Sequence, residues 1–94
     1  MKEKARKRKV RKNTLTPDHQ ALCNLLRIAR GEVGLTQVEL AARLKRDQTF
    51  ISKYESGERM LDVIEVRNVC KALGIPLEKF VRRWEKLLSK NSVE

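Results

Sequence analysis

The run Gly34–Arg59, GLTQVELAARLKRDQTFISKYESGER, decides how the rest of the chain is arranged. Thr36 and Glu39 form a T-x-x-E pair, in which the hydroxyl accepts from a backbone N–H three residues on and the carboxylate reaches back to the cap. A helix is therefore expected from Gln37 to about Leu44. Val38, Leu40, Ala41 and Leu44 recur at helical spacing and predict one buried stripe, with Glu39, Ala42 and Arg43 facing outward. Asp47 is a second good cap, and Ile51 and Tyr54, three apart, give the next short helix its buried face before Gly57 stops it. Gln48, Thr49, Ser52 and Lys53 are left on the open face. Side chains of this kind make paired hydrogen bonds or carry charge, which suits the edges of bases in a major groove.

With LRIARGEVGLTQVELAARL ahead of it and Ile51, Tyr54, Glu55, Gly57 and Arg59 behind, this unit resembles the lambda-repressor and Cro-like helix-turn-helix family, also called the XRE family. The likeness runs from about Leu22 to Phe80. It implies that Ala41 is the small residue where the two helices cross and Ile51 the apolar pin between them. It also implies base contacts from Gln48, Thr49 and Lys53, beside Ser52 on the same open face, and phosphate contacts from Gln37 and Arg59, to which the positive charges of Lys45 and Arg46 at the end of the motif add two further candidates. Arg30 and Glu55 match a structural ion pair that ties the first helix to the reading helix. Two positions depart from the family pattern. Lys45 stands where a glycine usually takes a left-handed backbone, at a cost of roughly 1–2 kcal/mol. Arg46 stands where an apolar residue is usual, so its stem is expected to cover the core while the guanidinium turns outward.

Ninety-four residues allow one domain, and at this size only about 60–65% of the unfolded surface can be buried. A large cleft does not fit in so small a core. The formal net charge of +10 suits a nucleic-acid partner. Much of it lies in Met1–Asn13, where eight Lys or Arg residues face Glu3 alone. Such a segment buries too little to repay its ordering, so residues 1–14 are expected to form a disordered basic arm. Arg6, Lys7, Arg8, Lys9, Arg11 and Lys12 are its candidate DNA contacts, along a minor groove or along phosphates. A localisation-like cluster and a solvated tail are the other readings of the same charges. No apolar run follows them and none approaches membrane length, which points to a cytoplasmic protein without a membrane partner.

Residues 15–94 form the expected helix-turn-helix domain, with its motif over 36–57. Thr16, Pro17 and Asp18 make a helix start, and Leu22, Leu25, Leu26, Ala29 and Val33 continue it as an apolar stripe to Gly34, with Ile28 left exposed. Asp62 and Glu65 repeat the capping pair, opening a helix whose Val63, Val66, Val69, Cys70 and Leu73 point inward until Gly74 ends it. Pro76 starts a last helix over 76–89. Its Leu77 and Phe80 should close the core. Val81, Trp84, Leu87 and Leu88 either pack within the chain or form a dimer seam, and the seam is favoured because a two-fold pair sets two reading helices about 34 Å apart.

Catalytic and metal chemistry find no support in the residue pattern. His19 is single and reads as an exposed residue of a first helical turn, and Cys23 and Cys70 read as buried reduced thiols without metal-ligand spacing. No Gly-rich phosphate loop or paired acid and base is present, so neither a cofactor nor an enzyme is expected. The sequence thus describes an all-α, five-helix DNA-binding domain that regulates transcription, a repressor on a palindromic operator as a homodimer. Two readings stay open beside it. One is an antitoxin that also neutralises a toxin partner, the other a protein-interaction adaptor that uses the same fold.

Overall fold

The computed structural model describes residues 16–91, which form five helices and no strand. They are α1 (Pro17–Val33), α2 (Gln37–Leu44), α3 (Gln48–Glu55), α4 (Val63–Leu73) and α5 (Leu77–Asn91). The basic arm, with the candidate contacts Arg6, Lys7, Arg8, Lys9, Arg11 and Lys12, lies outside the described residues.

Each boundary has a local cause. Thr16 accepts from the His19 N–H at 3.1 Å, and Pro17 occupies the first helical position of α1, where a missing N–H costs nothing. Thr36 with Glu39 and Asp62 with Glu65 both close the reciprocal box that their spacing predicts. Asp47 sits at the N-cap of α3, but its side chain makes no capping bond. Gly34 and Gly74 end α1 and α4 with φ of 83° and 77°, the left-handed region that only glycine enters without strain.

The core is where α1, α2, α3 and α4 meet and α5 closes over them. Leu26, Ala29, Leu40, Ile51, Tyr54, Val69, Cys70 and Phe80 are almost completely buried. α2 packs on α3 and α4, while α1 packs on α3, α4 and α5. Ala41 and Ile51 are both buried in the core, on the two helices of the motif. Both thiols are free and buried.

Several expectations change at the edges. Val38, Val33 and Val63 extend their apolar stripes past the limit of the core and are exposed, Val63 by 67%. Each lies near a helix terminus, where a stripe outruns its neighbours in so small a domain. His19, expected at the surface, is buried, and its Nε2 lies 3.4 Å from the Cys23 Sγ one helical turn on. Phe50, next to the inward Ile51 in sequence, is also buried, to 8% exposure, and meets Tyr54 edge to face at 5.4 Å.

Candidate nucleic-acid interface

The turn between α2 and α3 fixes everything that the open face of α3 displays. Lys45 takes the left-handed backbone, φ 56° and ψ 45°, that a glycine would normally occupy. Its N–H bonds back to Ala42, and that of Arg46 to Ala41 at 3.0 Å, so the turn keeps its hydrogen bonds despite the side chain. α3 then leaves with Ile51 and Tyr54 inward, Gln48, Thr49 and Lys53 exposed and Ser52 half-buried.

Behind that face runs a chain of polar contacts. Arg30 reaches from α1 and holds Glu55 through two bonds, Nε to Oε2 at 2.7 Å and Nη2 to Oε1 at 2.9 Å, while its Nη1 donates to the Leu35 carbonyl. The Glu55 side chain is 4% exposed, and its bond to Arg30 raises the guanidinium pKa further. A buried carboxylate held this way is costly to orphan, so the pair is structural. Gln37 adds a third donor, Nε2 to Glu55 Oε1 at 3.0 Å, and its own Oε1 accepts from Gln48 Nε2 at 2.9 Å.

This chain has a direction. An ionised carboxylate only accepts, so the amide of Gln37 must turn its NH2 toward Glu55 and its oxygen toward Gln48. Gln48 must then turn its NH2 toward Gln37. What remains free on Gln48 is its carbonyl oxygen and one N–H, an acceptor beside a donor at the exposed start of α3. Gln37, expected at a phosphate, is half-buried and already bonded at both ends of its amide.

The flank of α3 is built around the Phe50 ring. The Arg46 guanidinium carbon lies 3.8 Å from the Phe50 ring centroid and that of Arg59 lies 5.0 Å from it. Arg59 also holds Glu65 through both terminal nitrogens, at 3.2 and 2.9 Å. Arg46 lies over the ring while remaining exposed to solvent. The apolar position of the family is thus filled by a cation lying on an aromatic platform. An aromatic four residues C-terminal to an arginine was the available signal.

Elsewhere two of the residues expected at a dimer seam have partners within the chain. Trp84 donates from Nε1 to the Asp18 carbonyl at 3.1 Å, and Trp84 and Leu87 pack against the core; Val81 and Leu88 are half-buried. No helix among the described residues is long and apolar enough to cross a membrane.

A family model described as helix-turn-helix matches residues 26–80. Among solved structures the chain is similar to an XRE-family like protein from Pseudomonas syringae pv. tomato, at 46% identity and a TM-score of 0.70 over 74% of this chain and 85% of that one. It is also similar to the wild-type restriction-modification controller protein C.Esp1396I, at 25% identity and a TM-score of 0.74 over 80% and 97% of the two chains. The clp gene regulator ClgR from C. glutamicum matches at 25% identity, with a TM-score of 0.68 over 76% and 91%. No curated protein matches the chain.

Proposed function

The chain belongs to the XRE-like helix-turn-helix family, and from that premise we propose that it is a transcriptional repressor which occupies a two-fold symmetric operator as a homodimer. DNA binding and regulation are the common ground of this family and of the controller and regulator proteins that the chain resembles. A binding protein of the cytoplasm, and not an enzyme, is the corresponding reading of its chemistry.

The observation that carries the proposal is the directed chain from Arg30 through Glu55 and Gln37 to Gln48. It presents an acceptor and a donor side by side, the pattern that pairs with N6 and N7 of adenine in the major groove. Guanine offers two acceptors there and leaves the Gln48 oxygen without a donor. Gln48 is therefore assigned to an adenine, with Thr49, Ser52 and Lys53 on the neighbouring bases. Arg46 and Arg59 hold the backbone beside Phe50, with Lys45 at the turn, and Gln37 contributes by orienting Gln48. Occupancy of the operator is the mechanism of repression.

Selection of bound DNA from a random duplex pool at physiological salt tests this reading. An inverted repeat with half-sites about one helical turn apart is the expected product. Gln48→Ala should then cost about 1–3 kcal/mol on that site and relax the preference at one adenine. A uniform loss on all sequences would remove Gln48 from base reading, and a pool without enrichment would leave only charge-driven binding.

A further inference from the structure

Three of the large apolar side chains left in solvent crowd into five consecutive residues. Met60 is 51% exposed, Val63 67% and Ile64 66%. They form the end of the connection after α3 and the first turn of α4, directly beyond Arg59. Val63 extends the buried stripe of Val66, Cys70 and Leu73 by one turn, but no element among the described residues covers it.

We propose that this corner is where a second copy of the chain pairs on DNA, an inference that rests on the operator reading above. Its chemistry is self-complementary. Asp62, the N-cap of α4, and Arg67 within it are both exposed and lie on either side of Val63 and Ile64 in sequence. If two α4 helices cross antiparallel about a two-fold axis near Ile64, Asp62 of each copy faces Arg67 of the other, and the apolar side chains meet between them. An isologous contact repeats each such pairing twice. Duplex DNA is a poor occupant of the same patch, because phosphates gain nothing from bare methyl and thioether groups.

The position also suits the spacing that the operator demands. Half of α3 rises about 6 Å, and the five residues from Ser56 to Met60 span at most about 17 Å. A two-fold axis at this corner therefore lies within reach of two reading helices about 34 Å apart. By contrast, Trp84 and Leu87 of α5 already cover the protein's own core.

The three side chains expose on the order of 300 Å² per copy, against about 800 Å² per partner in a stable interface. Pairing is accordingly weak in free solution and is completed when DNA holds both copies. It appears as cooperativity between half-sites.

Full-length wild type and the V63E/I64E double variant are titrated onto duplexes that carry one or two copies of the selected half-site. The wild type should bind the second half-site about 5- to 150-fold more tightly than an isolated one. The variant should lose that factor while keeping its affinity for the single half-site, which also reports that it is folded. Arg67→Glu, which sets like charges opposite each other, should lower cooperativity in the same way. Cooperativity unchanged in V63E/I64E would overturn the surface while leaving the operator reading intact. Specific binding of the wild type to single half-sites without cooperativity would overturn the pairing. Failure to select any sequence would overturn the operator reading and this inference with it. If single-site affinity falls as well, I64K alone decides by the same ratio.

Discussion

Lys45 and Gly31 hold each other's natural residue. Lys45 sits at φ 56°, where a β-carbon is strained, whereas Gly31 lies inside α1 with no atom within 4 Å of the β-carbon an alanine would add. Lys45→Gly should stabilise the protein by up to about 1 kcal/mol, the relief of the left-handed strain less the added freedom of the unfolded chain. Gly31→Ala should do so by about 0.5–1 kcal/mol through helix propensity and a stiffer unfolded state. Urea denaturation of both variants checks the pair. The two differ on DNA, since Lys45→Gly should also reduce the salt slope of binding by about one unit if Lys45 meets a phosphate, while Gly31→Ala should leave it unchanged.

At the scale of the element, α3 serves two surfaces with eight residues. Its inner side carries Ile51, Tyr54 and Glu55, and its flank carries Phe50 beneath Arg46 and Arg59. Cation–π contacts of exposed groups are worth about 0.5–1 kcal/mol each, enough to bias where a guanidinium rests but not enough to hold the fold. Phe50→Leu should therefore weaken binding uniformly across DNA sequences, by about threefold to tenfold, as the two arginines lose their platform. Phe50→Tyr should retain wild-type affinity. Sequence preference should stay with Gln48 in both, and filter binding on specific and random duplexes separates the effects. The helices on either side of α3 and their caps were legible in the sequence, because Thr36 with Glu39 and Asp62 with Glu65 act over three residues, whereas Asp47 at the start of α3 makes no capping bond. The Phe50 stack was not, because one of its two cations arrives from beyond the end of α3.

For the whole molecule, charge and burial set the response to salt and pH. Residues 1–12 hold eight of the 22 Lys and Arg residues and, with Glu3, a net +7 of the formal +10. Deleting them should flatten the salt slope of DNA binding by several units if the arm neutralises phosphates, and an unchanged slope would make it a passive tail. Burial pushes the Cys70 thiol up to about 11 and raises Cys23 and Tyr54 as well. A group whose folded pKa is raised binds its proton more tightly in the native state, so its contribution is whole below the unfolded value and fades as pH climbs toward the folded one. Stability should thus decline between about pH 9 and pH 11, by on the order of 1–3 kcal/mol from Cys70. Cys70→Ala should blunt that decline in thermal melts. At pH 8 the native thiols should resist alkylation and react only on unfolding.

The sequence by itself determined the five helices and the caps of α1, α2 and α4. Those features depend on neighbours three to eleven positions away and on apolar periodicity, which a one-dimensional string carries in full. It also held the Arg30–Glu55 pair through its resemblance to a family. Only the tertiary structure decided where the apolar stripes end, leaving Val38 and Val63 in solvent and closing over His19. It likewise decided the orientation of the Gln48 amide, because that is set by a carboxylate seven residues on and an arginine from another helix. Burial and hydrogen-bond direction belong to the assembled packing, since each depends on which surfaces remain uncovered once every helix has found its neighbours.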